Sequence, residues 1–345
     1  MTDWLDGNRV YSETGVIVPA YFSAAINDDT VQRLLWMTLA DLPRVVNPCN
    51  IRLVTDGDAR TAGLAAQMLA DQPDYGELLA LPQNLGKLGA MRAGVQVLLA
   101  QRPQVRYVAF LDGDGDHMAT VVPRLVRTAA AIAAGRQSED VLVIGSRQSR
   151  ARPMGWLRGE LEELLDQVTM DALAFALARE GRVLDLSCCA PHSVCDISSG
   201  FKVFTRHLVE ATVAQEPSFL GSLTHSDYDH YGPETTTVVE AVLAGATVVE
   251  MLRPTWDGQP TTAFGEFRTV ALYGELLAWV WQRLDLTVGQ AAAMLDNRIP
   301  ARELRTTQEG SLALTEVRAY ALERLVAWRG ATEPLPSEPV LPSFF

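Results

Sequence analysis

Short apolar segments alternate with segments of helical periodicity between residues 16 and 144. The apolar segments have the length of strands, and several end at proline, glycine or aspartate. Such alternation predicts an α/β domain with a mostly parallel central sheet flanked by helices. The predicted strands are 16–20, 51–55, 78–81, 105–111 and 141–144, with helices beginning near residues 30, 61, 87 and 121.

The pattern changes after residue 146. A long amphipathic stretch, 156–179, predicts an inserted helix. Further strands are expected at 201–204 and 247–252, and further helices at 234–244, 266–283 and 312–328. We expect one main domain over 1–265, a helical C-terminal region over 266–330 and a proline-rich, extended or disordered tail over 331–345.

Composition and charge exclude several classes of protein and partner. Hydrophobic residues make up 48% and charged residues 21%, which favours an ordered globular protein. The formal charge of −13 argues against nucleic acid as a partner. No apolar run is long enough to cross a bilayer, and residues 1–11 lack signal-peptide features, so we expect a cytoplasmic protein without a transmembrane segment. The oligomeric state stays open, with a homodimer among the options.

Three carboxylates follow the apolar strand at 105–111. Asp112, Asp114 and Asp116 fall within five positions, and their mutual repulsion makes a hard divalent cation, Mg²⁺ or Mn²⁺, the natural partner. Such a metal could hold a diphosphate. The alternative is a solvated acidic turn, because Asp-Gly pairs commonly form turns.

Lysine is rare in this chain. It occurs only at Lys87 and Lys202, and the other 27 of the 29 basic residues are arginine. A compact ammonium approaches phosphate or hydroxyl groups differently from a planar guanidinium, which gives each lysine a candidate role. Chance placement is the alternative.

Four segments occur in this order along the chain: 16–21 (VIVPAY), 53–58 (LVTDGD), 84–90 (NLGKLGA) and 110–114 (FLDGD). Their order resembles the nucleotide half of family 2 glycosyltransferases with the GT-A fold. The resemblance implies that 1–265 is a catalytic domain, with a nucleotide-binding part at about 14–150 and an acceptor part at about 151–265. Within that family, 112–117 (DGDGDH) and 196–204 (DISSGFKVF) are most similar to polyprenol-phosphate sugar synthases. The resemblance covers about residues 14–263.

The resemblance implies a GT-A fold and a nucleotide diphosphate sugar as donor. Tyr21 and Asp56 would contact the base and ribose, and Lys87 the diphosphate. The full implied donor set is Ala20, Tyr21, Asp56, Asn84, Lys87, Asp112 and Asp114. Asp114 and Asp116, as a DXD motif, would hold the metal. The implied acceptor set is Ser199, Gly200, Lys202 and Trp256.

The catalytic base is Glu234 in our interpretation. An inverting displacement needs a carboxylate that takes a proton from the acceptor hydroxyl, and Glu234 lies near the start of a predicted helix. It could equally be a helix-start carboxylate that the macrodipole favours. Asp227 and Asp229 are substitutes, and a phosphate acceptor would need no base.

The leading hypothesis is therefore an inverting, metal-dependent hexosyltransferase. It would use a UDP- or GDP-sugar and a small polar or phosphorylated acceptor. A polyprenol-phosphate sugar synthase and a sugar nucleotidyltransferase are the alternatives, although the latter predicts a glycine-rich basic loop after the first strand, where this chain has 20–23 (AYFS). A non-enzymatic binding module would leave the acidic triplet dispensable.

The four cysteines are expected to be reduced thiols. Cys189, His192 and Cys195 recur at every third residue, a spacing that could hold a soft metal. Small thiols beside a loop are the simpler interpretation.

Overall fold

The computed structural model describes residues 6–189, 194–255, 269–330 and 335–337. The strands are β1 (Thr14–Ala20), β2 (Ile51–Asp56), β3 (Glu77–Leu81), β4 (Tyr107–Phe110), β5 (Val141–Arg147), β6 (Lys202–Thr205) and β7 (Thr247–Arg253). The helices are α1 (Gly7–Glu13), α2 (Asp28–Leu39), α3 (Ala59–Asp71), α4 (Gly86–Gln101), α5 (Val122–Arg136), α6 (Ala151–Met154), α7 (Trp156–Arg179), α8 (Arg206–Ala211), α9 (His225–Tyr231), α10 (Pro233–Leu243), α11 (Thr269–Arg283), α12 (Val288–Arg298) and α13 (Gln308–Arg329). Strands and helices alternate as far as β5, as the sequence predicts.

All seven strands form one sheet, in the order β3-β2-β1-β4-β6-β5-β7. β6 runs antiparallel to both of its neighbours, and the other four pairings are parallel. The predicted α/β architecture, a mostly parallel central sheet flanked by helices, is confirmed. Six strands therefore end at the same edge of the sheet, where β6 begins.

Alternate residues of the central strands pack on opposite faces of the sheet. In β1, Val16 and Val18 pack with α2 and α5, while Ile17 packs with α4 and α7. This is the two-residue period of a strand that is buried on both sides. Each fully buried side chain of this size stabilises the fold by about 1.5 to 3 kcal/mol. The layers of helices thus hold the strand ends at fixed positions.

The C-terminal region is helical, as predicted. Its helix α11 buries Trp279 and Trp281 completely and packs against α7 and α13. The sequence analysis missed α12, although Thr287 and Gln290 form a capping box at its start. The C-terminal helices therefore share the core on the α4 and α7 face.

Most of the predicted tail lies outside the described residues. Of the part that is described, the carbonyl oxygens of Pro336 and Ser337 accept hydrogen bonds from Arg318. Among the helices described, none combines the length and the apolar character that crossing a membrane would need.

Candidate active site

A cavity of about 710 Å³ opens at the edge where the parallel strands end. Its volume falls in the range of about 300 to 1,000 Å³ that is usual for small-molecule sites. Segments after β1, β2 and β4, the starts of α4 and α10, and the sides of α7 and α11 form its walls. Ligands of open α/β sheets bind at this edge.

Every residue that the sequence assigns to the donor lines this cavity. They are Ala20, Tyr21, Asp56, Asn84, Lys87, Asp112 and Asp114. The segments that carry them lie far apart in the chain and meet because β2, β1 and β4 are neighbours in the sheet. Their contact with a nucleotide sugar stays a prediction.

Lys87 is the electrostatic centre of the cavity. Its Nζ lies 2.6 Å from Asp112 Oδ1 and 2.6 Å from Glu234 Oε1. Burial lowers the pKa of the Lys87 ammonium, but the two carboxylates outweigh burial and raise this pKa overall. Burial likewise raises the pKa of Asp112, but Lys87 reverses the effect and holds that pKa well below its usual range. Lys87 and Asp112 are therefore charged at neutral pH.

The turn before α4 directs Lys87 into the cavity. Asp56 Oδ1 accepts a hydrogen bond from the Leu85 N–H at 2.7 Å, and Asn84 Oδ1 accepts one from the Gly86 N–H at 3.0 Å. Gly86 has a φ of +79°, and a Cβ at this position would lie 2.6 Å from the Asp229 carbonyl oxygen. Burial raises the pKa of Asp56. Asp56 thus holds this turn in addition to any contact with a ligand.

His117 closes the acidic turn after β4, a role that the sequence analysis did not give it. Its Nδ1 accepts a hydrogen bond from the Asp112 N–H at 2.9 Å, and its ring stacks on Phe201. Burial lowers the pKa of His117 well below its usual value, so the ring is neutral and Nε2 carries the proton. Nε2 lies 3.8 Å from Asp116 Oδ2. His117 therefore anchors the start of the turn, at Asp112.

Asp114 and Asp116 were predicted to hold a metal. Oδ1 of Asp116 is buried without a hydrogen-bond partner, a costly arrangement that a cation would relieve. Within the described part of the chain, the three aspartates do not join a group of three ligand atoms lying within 4.8 Å of one another. A hard cation such as Mg²⁺ usually combines one or two carboxylates with substrate phosphates, and Asp114 with Asp116 fits this arrangement.

Arg253 and Arg147 are cavity residues that the sequence analysis missed. They are the last residues of β7 and β5, and the rule that ligands bind at strand ends could have found them. The Arg253 guanidinium is buried, donates to the Gly145 carbonyl at 3.0 Å and lies 3.4 Å from Asp116 Oδ2. Burial lowers the pKa of Arg253. Arg253 thus neutralises part of the acidic turn.

Only part of the predicted acceptor set lines the cavity. Gly200 does, and a Cβ there would lie 2.6 Å from Asp112 Oδ2. Ser199 and Lys202 are buried and do not line it: Ser199 donates to the Gly145 carbonyl, and the Lys202 ammonium donates to two backbone carbonyls of the same loop. Burial lowers the pKa of Lys202 to about 8. Trp256 lies outside the described residues.

Glu234 reaches the cavity, whereas its two substitutes do not line it. Glu234 stands in the first turn of α10 and its side chain is partly exposed. The Asp227 carboxylate accepts a hydrogen bond at 2.7 Å from the hydroxyl of Thr224, the residue that caps α9. Asp229 is buried in an ion pair with Arg92, with two hydrogen bonds at 2.9 and 3.1 Å. Of the three carboxylates, Glu234 is placed to meet an acceptor. Its role as base stays a prediction.

A network of buried ion pairs supports the part of the cavity wall that includes Arg147 and Ser198. Arg147 donates two side-chain hydrogen bonds to Asp196, at 2.6 and 2.9 Å, and Arg150 pairs with Asp166 at 2.6 Å. Burial alone raises the pKa of Asp196, but the two arginines hold that pKa well below its usual range. Asp166 accepts hydrogen bonds from Ser198, which lines the cavity. The network therefore anchors the loop before β6.

No protein family model and no curated protein sequence matches this chain. Solved structures resemble it at low identity. A mannosyltransferase from Pyrobaculum calidifontis in complex with GDP-Man and Mn²⁺ is 13% identical over 94% of this chain and 88% of its own, with a TM-score of 0.49. S. aureus TarS 1–349 is 13% identical over 92% and 90%, with a TM-score of 0.42. A cytidylyltransferase from Leptospira borgpetersenii is 10% identical over 70% and 77%, with a TM-score of 0.38. We therefore base the functional proposal on the geometry of the site.

Proposed function

We propose that the chain is a metal-dependent GT-A glycosyltransferase that moves a sugar from a UDP- or GDP-sugar to a small polar or phosphorylated acceptor. The observation that carries this proposal is the position of Lys87, 2.6 Å from both Asp112 and Glu234, in a cavity lined by all seven predicted donor residues. We further propose that residues 14–150 hold the donor, that residues 151–265 hold the acceptor, and that α11 completes the wall.

The charge of the cavity supports a cation as part of the donor site. Its described lining carries six carboxylates and four cationic side chains, a formal balance of −2. A diphosphate would meet net repulsion there unless a divalent cation accompanied it. The carboxylates are Asp56, Asp112, Asp114, Asp116, Glu162 and Glu234, and the cations are Lys87, Arg147, Arg158 and Arg253.

Asp114 and Asp116 would hold Mg²⁺ or Mn²⁺. The bound ion would neutralise charge on the diphosphate leaving group. The Arg253 guanidinium donates a hydrogen bond to Asp116 Oδ2 at 3.4 Å and supports Asp116 from the protein side. Because Asp116 Oδ1 has no hydrogen-bond donor within the described structure, this oxygen is available as a ligand.

The donor half would bind the nucleotide through an exposed aromatic ring and the ammonium. Tyr21 is 58% exposed at the mouth of the cavity, so a base can stack on its ring without displacing a packed neighbour. Lys87 would approach the diphosphate while keeping its pair with Asp112. Its compact ammonium suits a position between two carboxylates, which a planar guanidinium does not.

Glu234 would act as the base of an inverting transfer. In the structure its carboxylate is paired with Lys87 at 2.6 Å, which holds it at the cavity. If Lys87 turned toward the diphosphate, the Glu234 carboxylate would be left to accept the proton of the acceptor hydroxyl. Donor binding would in this way prepare the base.

A polyprenol phosphate is the alternative acceptor, and one feature of the cavity favours it. Leu165 from α7 and Leu272 and Leu276 from α11 contribute apolar side chains to the cavity wall. An acceptor with an apolar chain would bury this surface. A small polar acceptor would leave it in contact with water.

Release of nucleoside diphosphate tests the proposal. The full chain is incubated with UDP- or GDP-hexoses, with and without Mn²⁺, and with sugar, sugar-phosphate or polyprenol-phosphate acceptors. We expect UDP or GDP to appear only when Mn²⁺ and one acceptor class are both present. Release of pyrophosphate from a nucleoside triphosphate and a sugar 1-phosphate would instead identify a nucleotidyltransferase. Thermal shift with the same nucleotides reports binding independently, and absence of any shift would count against a nucleotide site.

A further inference from the structure

A second cluster of ligand groups lies in the segment that leads to β6. The sulfurs of Cys189 and Cys195 and a carboxylate oxygen of Glu250 all lie within 4.8 Å of one another. Cys195 is 4% exposed, and Cys189 and Glu250 are half-buried. These three residues do not line the cavity of the proposed active site. Among the described residues, no other group of three cysteine, histidine, aspartate or glutamate side chains places its ligand atoms within 4.8 Å of one another.

The distances suit a small tetrahedral cation. Zinc bound by thiolate at about 2.3 Å and by carboxylate at about 2.0 to 2.2 Å places its ligand atoms about 3.5 to 3.8 Å apart. In the structure the three ligand atoms lie within 4.8 Å of one another, so each distance exceeds the zinc-bound separation by about an ångström at most. A change of side-chain rotamer can close this gap. The ligand types also select the metal, because two thiolates favour zinc over Mg²⁺ or Mn²⁺.

The backbone around the cluster is held in register with β7. The Glu250 N–H donates to the Cys188 carbonyl at 3.1 Å, and Glu250 Oε1 accepts a hydrogen bond from the Asp196 N–H at 2.8 Å. Cys189 Sγ lies 3.7 Å from the Val248 carbonyl oxygen. The ligands therefore sit on a strand and on a loop that is tied to that strand, which is the rigid support that a metal site needs.

We propose that Cys189, Cys195 and Glu250 form a structural zinc site. His192 lies midway between the two cysteines in the sequence and outside the described residues. A closed tetrahedral site needs one ligand besides these three. The metal would fasten residues 189–195 to β7, next to Asp196 and to Ser198 on the cavity wall. This inference does not rest on the proposed glycosyltransferase activity.

A disulfide between the two cysteines is the competing explanation. It would account for the nearness of the two sulfurs without involving Glu250, whose Oε1 accepts a hydrogen bond from the Asp196 N–H. The hydrogen bond with Cys189 and burial raise the pKa of the Cys195 thiol. A divalent cation reverses this preference, because it binds the thiolate. Zinc and disulfide therefore predict different chemical states of the same sulfurs.

Metal content of the full-length protein tests the site. The chain is purified under reducing conditions, depleted with a chelator, reloaded with zinc and measured by elemental analysis. We expect about one tightly held zinc per chain, as for a closed structural site. Cys195→Ser and Glu250→Gln should weaken zinc binding by more than about 100-fold, because even outer partners of a metal ligand are worth about 10- to 100-fold.

Two matched variants serve as controls. Cys188→Ser changes the neighbouring thiol, which contacts Arg136 and Ser187 rather than the cluster, and Cys49→Ser changes an exposed thiol elsewhere. Both should retain about one zinc. Replacement by Co²⁺ gives a second readout: thiolate-to-cobalt charge-transfer absorption should appear in the wild type and both controls and be absent from Cys195→Ser. This spectrum is read on folded protein, so a variant that fails to fold is recognised by its circular dichroism.

Several results would overturn the proposal. Wild-type protein that binds no zinc after reloading would do so, as would equal zinc binding by wild type and Cys195→Ser. A Cys189–Cys195 disulfide that forms in air while the metal content stays at zero would assign the cluster to thiol redox chemistry instead. Loss of sugar transfer with zinc binding intact would affect the proposed function alone.

Discussion

The two sides of the cavity are built differently. The side that we propose for the donor, called the donor side, takes its residues from the ends of β1, β2 and β4 and from the first turn of α4, and its charged groups face the cavity. The side that we propose for the acceptor, called the acceptor side, rests on ion pairs that are buried beneath the surface, between β5, α7 and the loop before β6. The two lysines follow the same division, because Lys87 lines the cavity and Lys202 is buried beside it.

The difference implies that substitutions on the two sides should affect different properties, ligand binding on one side and stability on the other. On the donor side, a charge is stabilised by neighbours that a ligand can replace, so a substitution should change binding more than stability. On the acceptor side, the charges are removed from water and depend on one another, so a substitution should destabilise the fold. The variants below separate these two outcomes.

Lys87→Met should have the largest effect. It leaves Asp112 and Glu234 facing each other without a cation, and removes the charge that would meet the diphosphate. We expect kcat/KM to fall by about 10²- to 10³-fold, the range seen when one electrostatic stabiliser of a transition state is lost.

Lys87→Arg sharpens this test because it keeps the charge. Its planar guanidinium does not fit the two contacts at 2.6 Å, so we expect a loss of at least about tenfold. Full activity of Lys87→Arg would remove the case for a compact ammonium. Full activity of Lys87→Met would remove Lys87 from the mechanism.

Asp196→Asn should lower stability. It leaves Arg147 and Arg150 in a buried site without their shared carboxylate, and breaking a buried pair in this way costs about 3 to 5 kcal/mol. The matched control is Asp171→Asn, which breaks a partly exposed pair with Arg298 and should cost about 1 kcal/mol or less. Urea unfolding measures both, and equal values would break the distinction between the two sides.

The depressed pKa of Asp196 gives this contribution a pH dependence. A carboxyl group whose folded-state pKa lies below its unfolded value of about 3.9 stabilises the fold above that value. This stabilisation is lost as pH falls below about 4. The difference between wild type and Asp196→Asn should therefore shrink on acidification.

Lys202→Met should show a smaller effect that grows with pH. The folded-state pKa of Lys202 is about 8, below the usual value of about 10.4 for lysine. Below pH 8 both states are protonated and the fold bears the cost of a buried charge. Between about pH 8 and 10.4 the folded state loses its proton first, so wild type should gain stability relative to Lys202→Met. A difference that stays constant from pH 7 to 10 would contradict this assignment.

Tyr21→Ala should give the smallest effect. Because Tyr21 is 58% exposed, the free energy of unfolding should hardly change. Loss of a stacking surface should raise KM for the donor by about tenfold, with kcat little affected. Tyr21→Phe keeps the ring and should behave like wild type. A KM that is unchanged in Tyr21→Ala would place the base elsewhere.

More of the residues predicted for the donor than of those predicted for the acceptor line the cavity, and there is a physical reason. Asp56, Lys87 and Asp112 each follow a strand or open a helix, and local pattern alone reveals such positions. Arg147 and Asp196 are 49 residues apart, and their pairing depends on how β5 and the loop before β6 meet. Periodicity within one segment carries no information about such a contact.

Helices and strands were likewise predicted where a local sequence pattern marks them, and missed where tertiary contacts place them. The strands and the longest helices were predicted because their apolar periodicity is strong. The short helix α9 was missed, since its sequence 225–231 (HSDYDHY) is polar and is placed by tertiary contacts of Tyr228 and Asp229. The burial of Ser199 and Lys202 was also missed, because the sequence does not reveal where the loop before β6 folds back.

The metal dependence of nucleotide binding tests the central claim most directly. Calorimetric titration of UDP and GDP into the protein, with and without Mn²⁺, is compared between wild type and Asp114→Asn. We expect wild type to bind one of the nucleotides at least about tenfold more tightly with Mn²⁺, as for a cation that bridges carboxylate and phosphate. Asp114→Asn should lose this gain while its thermal unfolding stays nearly unchanged. Binding that is the same with and without Mn²⁺, or the same in both proteins, would contradict the account.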